Sequence, residues 1–290
     1  MRTVGLTTKV MLTSLLFLGE RTPPVQFLDR VIQHPIIWNL GYKTQKSSYR
    51  ALTRRFGADD VVFLNYGYEE DPPMAIELDA ADERDRFPIQ LYHRTATQAG
   101  DLSGMEVLEV GCGHGGGASY LTRALHPAHY TALDLNPTGI EFCRQRHRLP
   151  NLEFVVGDAQ NLPFPDQSFD ALINVESSIH YPDFRRFLAE AARVLRPGGH
   201  LLYTDGRFAS HVPDWEAALA GAPMRMISHR DIRPEIVRGM ERNSQRWQEV
   251  IDRHNSKMLR ATCQFLQGSK VYRELQGGGF SYAMYCFVKE

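Results

Sequence analysis

Cysteine is scarce and scattered in this chain: four residues in 290, at positions 112, 143, 263 and 286, with no CxxC pair. That excludes a disulfide framework and a zinc site built on paired thiols, and it reads as free thiols in a reducing, cytoplasmic compartment. Neither sign of charge is in excess. Lys plus Arg number 33 against 34 Asp plus Glu, a formal net charge of −1, so no basic surplus points to a nucleic-acid partner. Long apolar runs are missing as well. The apolar stretch at residues 10–18 falls well short of a membrane span and is followed by no convincing small-residue cleavage site. It reads as a packed or interfacial helix, with Leu12, Leu15, Leu16 and Phe17 available for a peripheral membrane contact. Long repeats and low-complexity tracts are absent. The first 100 residues also lack an alternating strand pattern. Their helical patches are broken at Pro23-Pro24, Pro35 and Pro72-Pro73, which predicts a helical and looping N-terminal cap.

From about residue 103 the pattern changes. MEVLEVG, HYTALDL, LEFVVGD, FDALINVE and GHLLYTD are five short apolar strand candidates, and the first four are each followed by a helical or turn-rich connection. That alternation favours a parallel sheet with right-handed crossovers. RFLAEAARVL is the clearest helix, and Arg196-Pro197-Gly198-Gly199 predicts a sharp turn into the fifth strand. MRMIS is a weaker sixth strand. A helical insertion over 234–257 carries Ile236, Val237, Met240, Trp247, Ile251, His254 and Met258 near one face. The closing FSYAMYCFVKE has the aromatic alternation of a last strand. The expectation is an α/β, Rossmann-like fold: a cap over 1–100, then a ligand-binding domain over 101–290 with a helical lid inserted at about 232–279.

The stretch VLEVGCGHGGGASYL, residues 107–121, joins a strand to a helix through a glycine-rich turn, the usual cradle for a nucleotide. The glycines alone fit GxGxxG as well as ExGxGxG. Glu109 separates the two by charge. Beside a pyrophosphate a carboxylate is repelled. Beside the ammonium of S-adenosylmethionine it is attracted, by about 4 kcal/mol for unit charges about 4 Å apart at an effective dielectric near 20. Asp134 ends the second strand, where it can accept both ribose hydroxyls of either cofactor. Asp158 ends the third, and the Ala159 and LPF that follow suit a pocket for an adenine amino group. Taken singly, Asp134 also reads as a turn acid and Asp158 as a helix cap; their joint placement on successive strand ends favours the nucleoside reading.

In order, VLEVGCGHGGG, ALDLN, GDAQNLPFPDQSFD and VLRPGG resemble the class I S-adenosylmethionine-dependent methyltransferases over about residues 85–205. More narrowly, FLNYGYEEDPPM, QLYHRTATQ, GCGHGGGASYLTRALHP and SYAMYCFVKE resemble the mycobacterial phthiotriolone/phenolphthiotriolone dimycocerosate methyltransferase family and its glycolipid sugar O-methylating relatives. That likeness runs from about residue 56 to the C-terminus. It implies a mostly parallel sheet with an antiparallel last strand. It also implies a donor site lined by Glu109, Gly111, Gly113, Asp134, Leu135, Asp158, Ala159 and Asn174, with Tyr68 and Tyr92 closing over it from the cap. The alternative for the two tyrosines is aromatic packing. His114 lies within the glycine turn and is given no catalytic role.

Methyl transfer from a sulfonium is an in-line displacement, and an alcohol acceptor also needs a base for its departing proton. NVESSIHYPD, after the fourth strand, brings Glu176 and His180 to the acceptor position, and His titrates nearest neutral pH. Asp205 ends the neighbouring strand and is expected to orient His180, as in several natural-product sugar O-methyltransferases that this arrangement resembles. The nearer lipid family often has its histidine one position earlier, where this chain has Ile179. The alternative for His180 is a cap on the following helix. Magnesium held by Asp205, Glu176 and a third acid is a further alternative, although no metal-specific spacing is present. His93, His211, His229 and His254 have no spacing that singles them out. The resulting expectation is O-methylation of a hydroxyl on a lipid, polyketide or lipid-linked sugar, at the inner membrane face if the acceptor is lipid-linked. The alternatives are a small-molecule sugar, carbon methylation of a quinone- or sterol-like acceptor, a nicotinamide oxidoreductase, and a noncatalytic donor-binding scaffold.

Overall fold

A computed structural model describes residues 61–252 and 269–290. The cap residues before 61, including Leu12, Leu15, Leu16 and Phe17, and the lid residues His254 and Met258 lie outside the described residues.

Seven strands form one sheet: β1 Glu106–Val110, β2 His129–Asp134, β3 Leu152–Val156, β4 Phe169–Val175, β5 Leu195–Phe208, β6 Arg225–Asp231 and β7 Phe280–Val288, in the order β3-β2-β1-β4-β5-β7-β6. Strands β1 to β5 are parallel, and β7 runs antiparallel between β5 and β6. The central strands are short, nearly continuous apolar runs because helices cover both sheet faces. Val107, Leu108, Leu172 and Ile173 are fully buried, as are Leu201 and Leu202.

Helices α1 Arg86–Ala96, α2 Gly116–Leu125, α3 Pro137–Arg146, α4 Phe184–Val194, α5 Val212–Ala220, α6 Arg233–Asp252 and α7 Ser269–Gly277 fill the connections. Local chemistry sets several of their starts. Asn136 caps α3 by accepting from Thr138 N, with Pro137 in the first turn. Asp183 caps α4 by accepting from Arg186 N at 3.0 Å. Helix α4 then buries one stripe, Phe187, Leu188, Ala191, Ala192 and Val194. The Arg196–Gly199 stretch is not a separate turn. Pairing between β4 and β5 shifts there, from Phe169 opposite Leu195 to Ala171 opposite His200, so the residues bulge within β5. Within α6, Ile236, Met240 and Trp247 are buried, as their spacing predicts.

The described part of the cap is less helical than its sequence suggests. Residues 61–82 contain neither helix nor strand before a 3-10 turn, Glu83–Asp85, leads into α1. Their backbone groups bond to the body of the protein: Tyr68 N to Phe87 O and Glu69 N to Glu235 O, both at 3.0 Å. Close approach of Gly67 to α6 requires its missing side chain, since a Cβ there would lie 2.4 Å from Gly239 O. Among the described residues no helix is long and apolar enough to cross a membrane.

Strand order reverses between β1 and β4, and a crevice at such a reversal, outside the strands' C-terminal ends, is where open α/β sheets bind ligands. Val107–Glu109 pair with Ala171–Ile173, so the glycine turn after β1 faces the Asn174–Glu176 end of β4.

Candidate functional site

The turn after β1 takes its shape from left-handed residues, with φ +87° at Gly111 and +56° at Gly113. A Cβ on Gly111 would lie 2.3 Å from Ser177 Oγ, so both conformation and space demand glycine. Gly111 N donates to Leu133 O at 2.7 Å, and Gly113 N to Asp134 Oδ2 at 3.0 Å. The other oxygen of Asp134 accepts from Asn136 N at 2.8 Å. Burial raises the pKa of Asp134 while these backbone donors pull against it. Asp158 Oδ1 accepts from Gln160 N at 2.9 Å at the end of β3, with Ala159 buried beside it and Leu135 partly buried after β2. The structure therefore sets the predicted Asp134 and Asp158 on neighbouring strand ends, each fixed by local backbone.

Glu109 is fully buried and divides its oxygens between two tyrosines, Tyr92 Oη at 3.1 Å and Tyr130 Oη at 2.9 Å. Burial pushes its pKa up to about 7 against these two donors, and the Asp134 charge adds to the rise. Two acids acting on each other beside a turn form a place for a cation and repel a pyrophosphate. Tyr92 is thus part of the wall, its ring packed where a Cβ on Gly117 would be. Tyr68 is fully buried too, but its hydroxyl goes to Glu70, 2.7 Å away.

The segment that crosses the turn begins earlier than either tyrosine. Val61 O accepts from His114 Nδ1 at 2.8 Å, and Val62 O from Gly116 N at 3.2 Å. Tyr66 N then donates to both oxygens of Glu176, at 2.9 and 3.1 Å, and Tyr282 Oη bonds the same carboxyl. Glu176 sits at φ +49°; burial pushes its pKa up to about 8 against the two hydrogen-bond donors, and the Asp205 charge adds to the rise. The carboxyl expected to act on an acceptor instead ties the cap strap and β7 to the end of β4. Asn174, beside it, donates through Nδ2 to Val110 O at 2.8 Å and lies equally close to Ser177 Oγ, while its Oδ1 is buried without a partner among the described residues.

His180 ends a 3-10 turn, Ser178–His180, and its N–H donates to Ser177 O at 3.1 Å. Burial lowers the imidazole pKa; the Asp205 charge opposes this and the Arg207 charge reinforces it. The ring is therefore neutral near pH 7, the form a base requires. Asp205 spends its oxygens on Ser178 Oγ at 2.6 Å, Ile179 N at 3.0 Å and Gly206 N at 2.8 Å, and it pairs with Arg207 at 3.2 Å. It acts on His180 through its charge and through the turn that leads to it. Among the described residues no three His, Cys, Asp or Glu side chains converge as a metal site.

Sequence reasoning missed Ser178, Arg207, Tyr66, Tyr130 and Tyr282. Arg207 left one usable signal, since Tyr203, Asp205 and Arg207 share a strand face by period two. Tyr66 and Tyr282 left none, because both meet Glu176 across more than a hundred positions.

The features of the crevice fit S-adenosylmethionine: a turn with no room for a Cβ at Gly111, acids at three successive strand ends, and an acceptor on Asn174 without a partner among the described residues, which suits an ammonium. Residues 108–203 match the family model described as a methyltransferase domain. The chain is 57% identical over 259 residues to the fatty-acid O-methyltransferase of Mycolicibacterium smegmatis, covering 88% of this chain and 94% of that protein. It is 57% identical over 245 residues to the phthiotriol/phenolphthiotriol dimycocerosates methyltransferase of Mycobacterium tuberculosis, covering 83% and 90%. Among solved structures, geranyl diphosphate C-methyltransferase from Streptomyces coelicolor, in complex with magnesium, geranyl diphosphate and S-adenosylhomocysteine, superposes with a TM-score of 0.62 at 16% identity, covering 86% of this chain and 98% of that one. At that identity the likeness speaks for the fold.

Proposed function

The chain belongs to the methyltransferase family of these relatives, and on that premise we propose that it transfers a methyl group from S-adenosylmethionine to a hydroxyl of a long-chain lipid. One observation carries the choice of a hydroxyl: a half-buried imidazole at His180, its pKa lowered, on the turn after β4, next to the acid-lined glycine turn. A carboxylate acceptor is already a nucleophile and needs no such group, whereas an alcohol must lose its proton.

Glu109 and Asn174 would hold the ammonium end of the donor, Asp134 the ribose and Asp158 the adenine, while the strap over 61–66 would keep water from the turn. The bound donor supplies an electrophilic methyl: the acceptor oxygen forms the new C–O bond as the electron pair of the S–C bond returns to sulfur. His180 takes the hydroxyl proton in that step and passes it to solvent. A lipid acceptor places the enzyme at the inner face of the membrane, so it should float with vesicles that contain a hydroxylated lipid.

The test uses one probe with both oxygen types, a mid-chain hydroxystearic acid, and donor carrying a labelled methyl. Label that survives alkaline hydrolysis marks an ether and supports the proposal. Label released by alkali marks a methyl ester and replaces the hydroxyl with a carboxyl. Calorimetry should show binding of S-adenosylhomocysteine and none of NADH.

A further inference from the structure

Beneath the Ser178–His180 turn lies a buried polar cluster that the transfer reaction itself does not use. Arg207 is 7% exposed, and its guanidinium carbon sits 5.4 Å from the centroid of the Phe184 ring and 5.0 Å from that of Trp215. Its Nη2 donates to Ser178 Oγ at 2.8 Å; its Nη1 donates to Gly206 O at 2.8 Å and pairs with Asp205. Ser178 Oγ donates to Asp205 and also meets Tyr203 Oη at 2.7 Å. Because the Ser178 proton goes to Asp205, Tyr203 is the donor in that contact, and Tyr203 in turn accepts from Trp215 Nε1 at 2.8 Å. The chain of donors runs in one direction, from Trp215 through Tyr203 and Ser178 to Asp205, and Ile179 N adds a backbone bond at the same carboxylate.

We propose that Arg207 is a positioning residue for methyl transfer: with Asp205 it grips Ser178 and Ile179 and so fixes the turn that presents His180. Stability alone does not call for this arrangement, since a buried ion pair seldom outdoes a well-packed apolar replacement. An aromatic slot formed by Phe184 and Trp215 would hold an apolar chain as readily as the stem of Arg207. What the ion pair adds is direction. The planar fork reaches Ser178 and Asp205 at once, which a lysine ammonium does not reproduce. The proposal rests on the reading of His180 as the base.

Arg207→Met, Arg207→Lys, Ser178→Ala and His180→Ala are compared by turnover of the hydroxystearic acid and by affinity for S-adenosylhomocysteine. Arg207→Met is expected to lower kcat tenfold or more, with KM and product affinity within twofold, and Arg207→Lys should not restore it. Ser178→Ala, which removes no charge, should reproduce the kcat loss with product affinity again within twofold. In a His180→Ala background Arg207→Met should add nothing, because the two act on one step. The Asp205 charge raises the His180 pKa and the Arg207 charge lowers it. Removing the cation in Arg207→Met should therefore raise the acid limb of the kcat/KM profile, and Asp205→Asn should lower it. Wild-type kcat in either Arg207 variant, kcat falling only in step with product affinity, or losses additive with His180→Ala would overturn the proposal. Wild-type kcat in His180→Ala itself would sink the base reading and the proposal together, and it shows without any change at Arg207.

Discussion

On the donor side of the crevice, carboxylates lean on nearby backbone and on tyrosines of the same sheet and cap. On the acceptor side they lean on an arginine and on residues from distant parts of the chain. Asp134 takes Gly113 N, from the turn of the neighbouring strand 21 positions away, and Asn136 N, and Asp158 takes Gln160 N. Glu176 takes Tyr66 N and Tyr282, 110 and 106 positions away. Apart from Tyr92 and the strap, which come from the cap, the donor half is thus assembled from the ends and turns of β1 to β3. By contrast, the acceptor half exists only once cap, β5 and β7 have closed on β4. Separate construction lets one half be damaged while the other persists, and that gives the comparison its tests.

The largest expected effect lies on the acceptor side. His180→Ala should lower kcat for ether formation by about 10²- to 10⁴-fold, the usual worth of a general base. Calorimetric affinity for S-adenosylhomocysteine should stay within twofold, because Glu109, Asp134 and Asp158 take their hydrogen bonds from tyrosines and from backbone. Equal losses in turnover and affinity would show the halves to be one unit.

Next in size, Glu109→Gln should act in the opposite sense. It leaves an acceptor and a donor in place of the carboxylate but removes its charge, so S-adenosylhomocysteine affinity should fall by about tenfold or more, roughly 1.4 kcal/mol per decade. Saturating donor should largely restore kcat. The interaction also carries a pH signature. With the Glu109 pKa at about 7 in the free protein, affinity for the ammonium should rise as pH climbs through neutrality, and the Gln variant should lose that slope. A flat wild-type profile from pH 6 to pH 8 would remove Glu109 from the ammonium site.

The same division governs how much could be read from the sequence. Strand identity, order of motifs and the placement of Glu109, Asp134 and Asp158 at strand ends were legible because each is a short apolar run ending in an acid or glycine at a fixed offset. Asp205 was rightly set beside the tip of β4, where Val175 pairs with Thr204, but its partners Ser178 and Arg207 emerge only when β5 shows one face to that turn. Glu176 looked like a catalytic acid because a carboxyl at a strand end is chemically open until something covers it. The cover is the strap, whose course is set by backbone bonds to His114, Gly116 and Glu176. The Arg196–Gly199 stretch shows the converse: its local signal for a sharp turn is real, and pairing on both sides absorbs it as a bulge.

The smallest expected effect concerns stability and joins the halves. Glu109 and Glu176 have pKa values raised from 4.5 to about 7 and about 8, so between the ordinary carboxyl range and these values the folded protein holds more protons than the unfolded one. These two carboxyls make stability of the donor-free protein fall as pH rises through that window, since unfolding releases their protons; His93, His114, His147, His180 and His200, with lowered pKa values, act the other way near pH 6. The melting temperature is expected to drop from pH 6 to pH 8.5. Glu176→Gln, which cannot ionise, should flatten the upper part of the fall, and Glu109→Gln the lower part. S-adenosylhomocysteine should flatten only the lower part, because its ammonium stabilises ionised Glu109 and has no such counterpart at the strap. Hydrogen exchange over residues 61–68 offers a second reading of the same group. If Glu176 is the tie, exchange should quicken in Glu176→Ala and remain near wild type in Glu176→Gln, whose amide oxygen still accepts from Tyr66 N. Exchange unchanged in both variants would mean that the strap is held by His114 and Gly116 alone, and Glu176 would return to the acceptor side as a candidate acid.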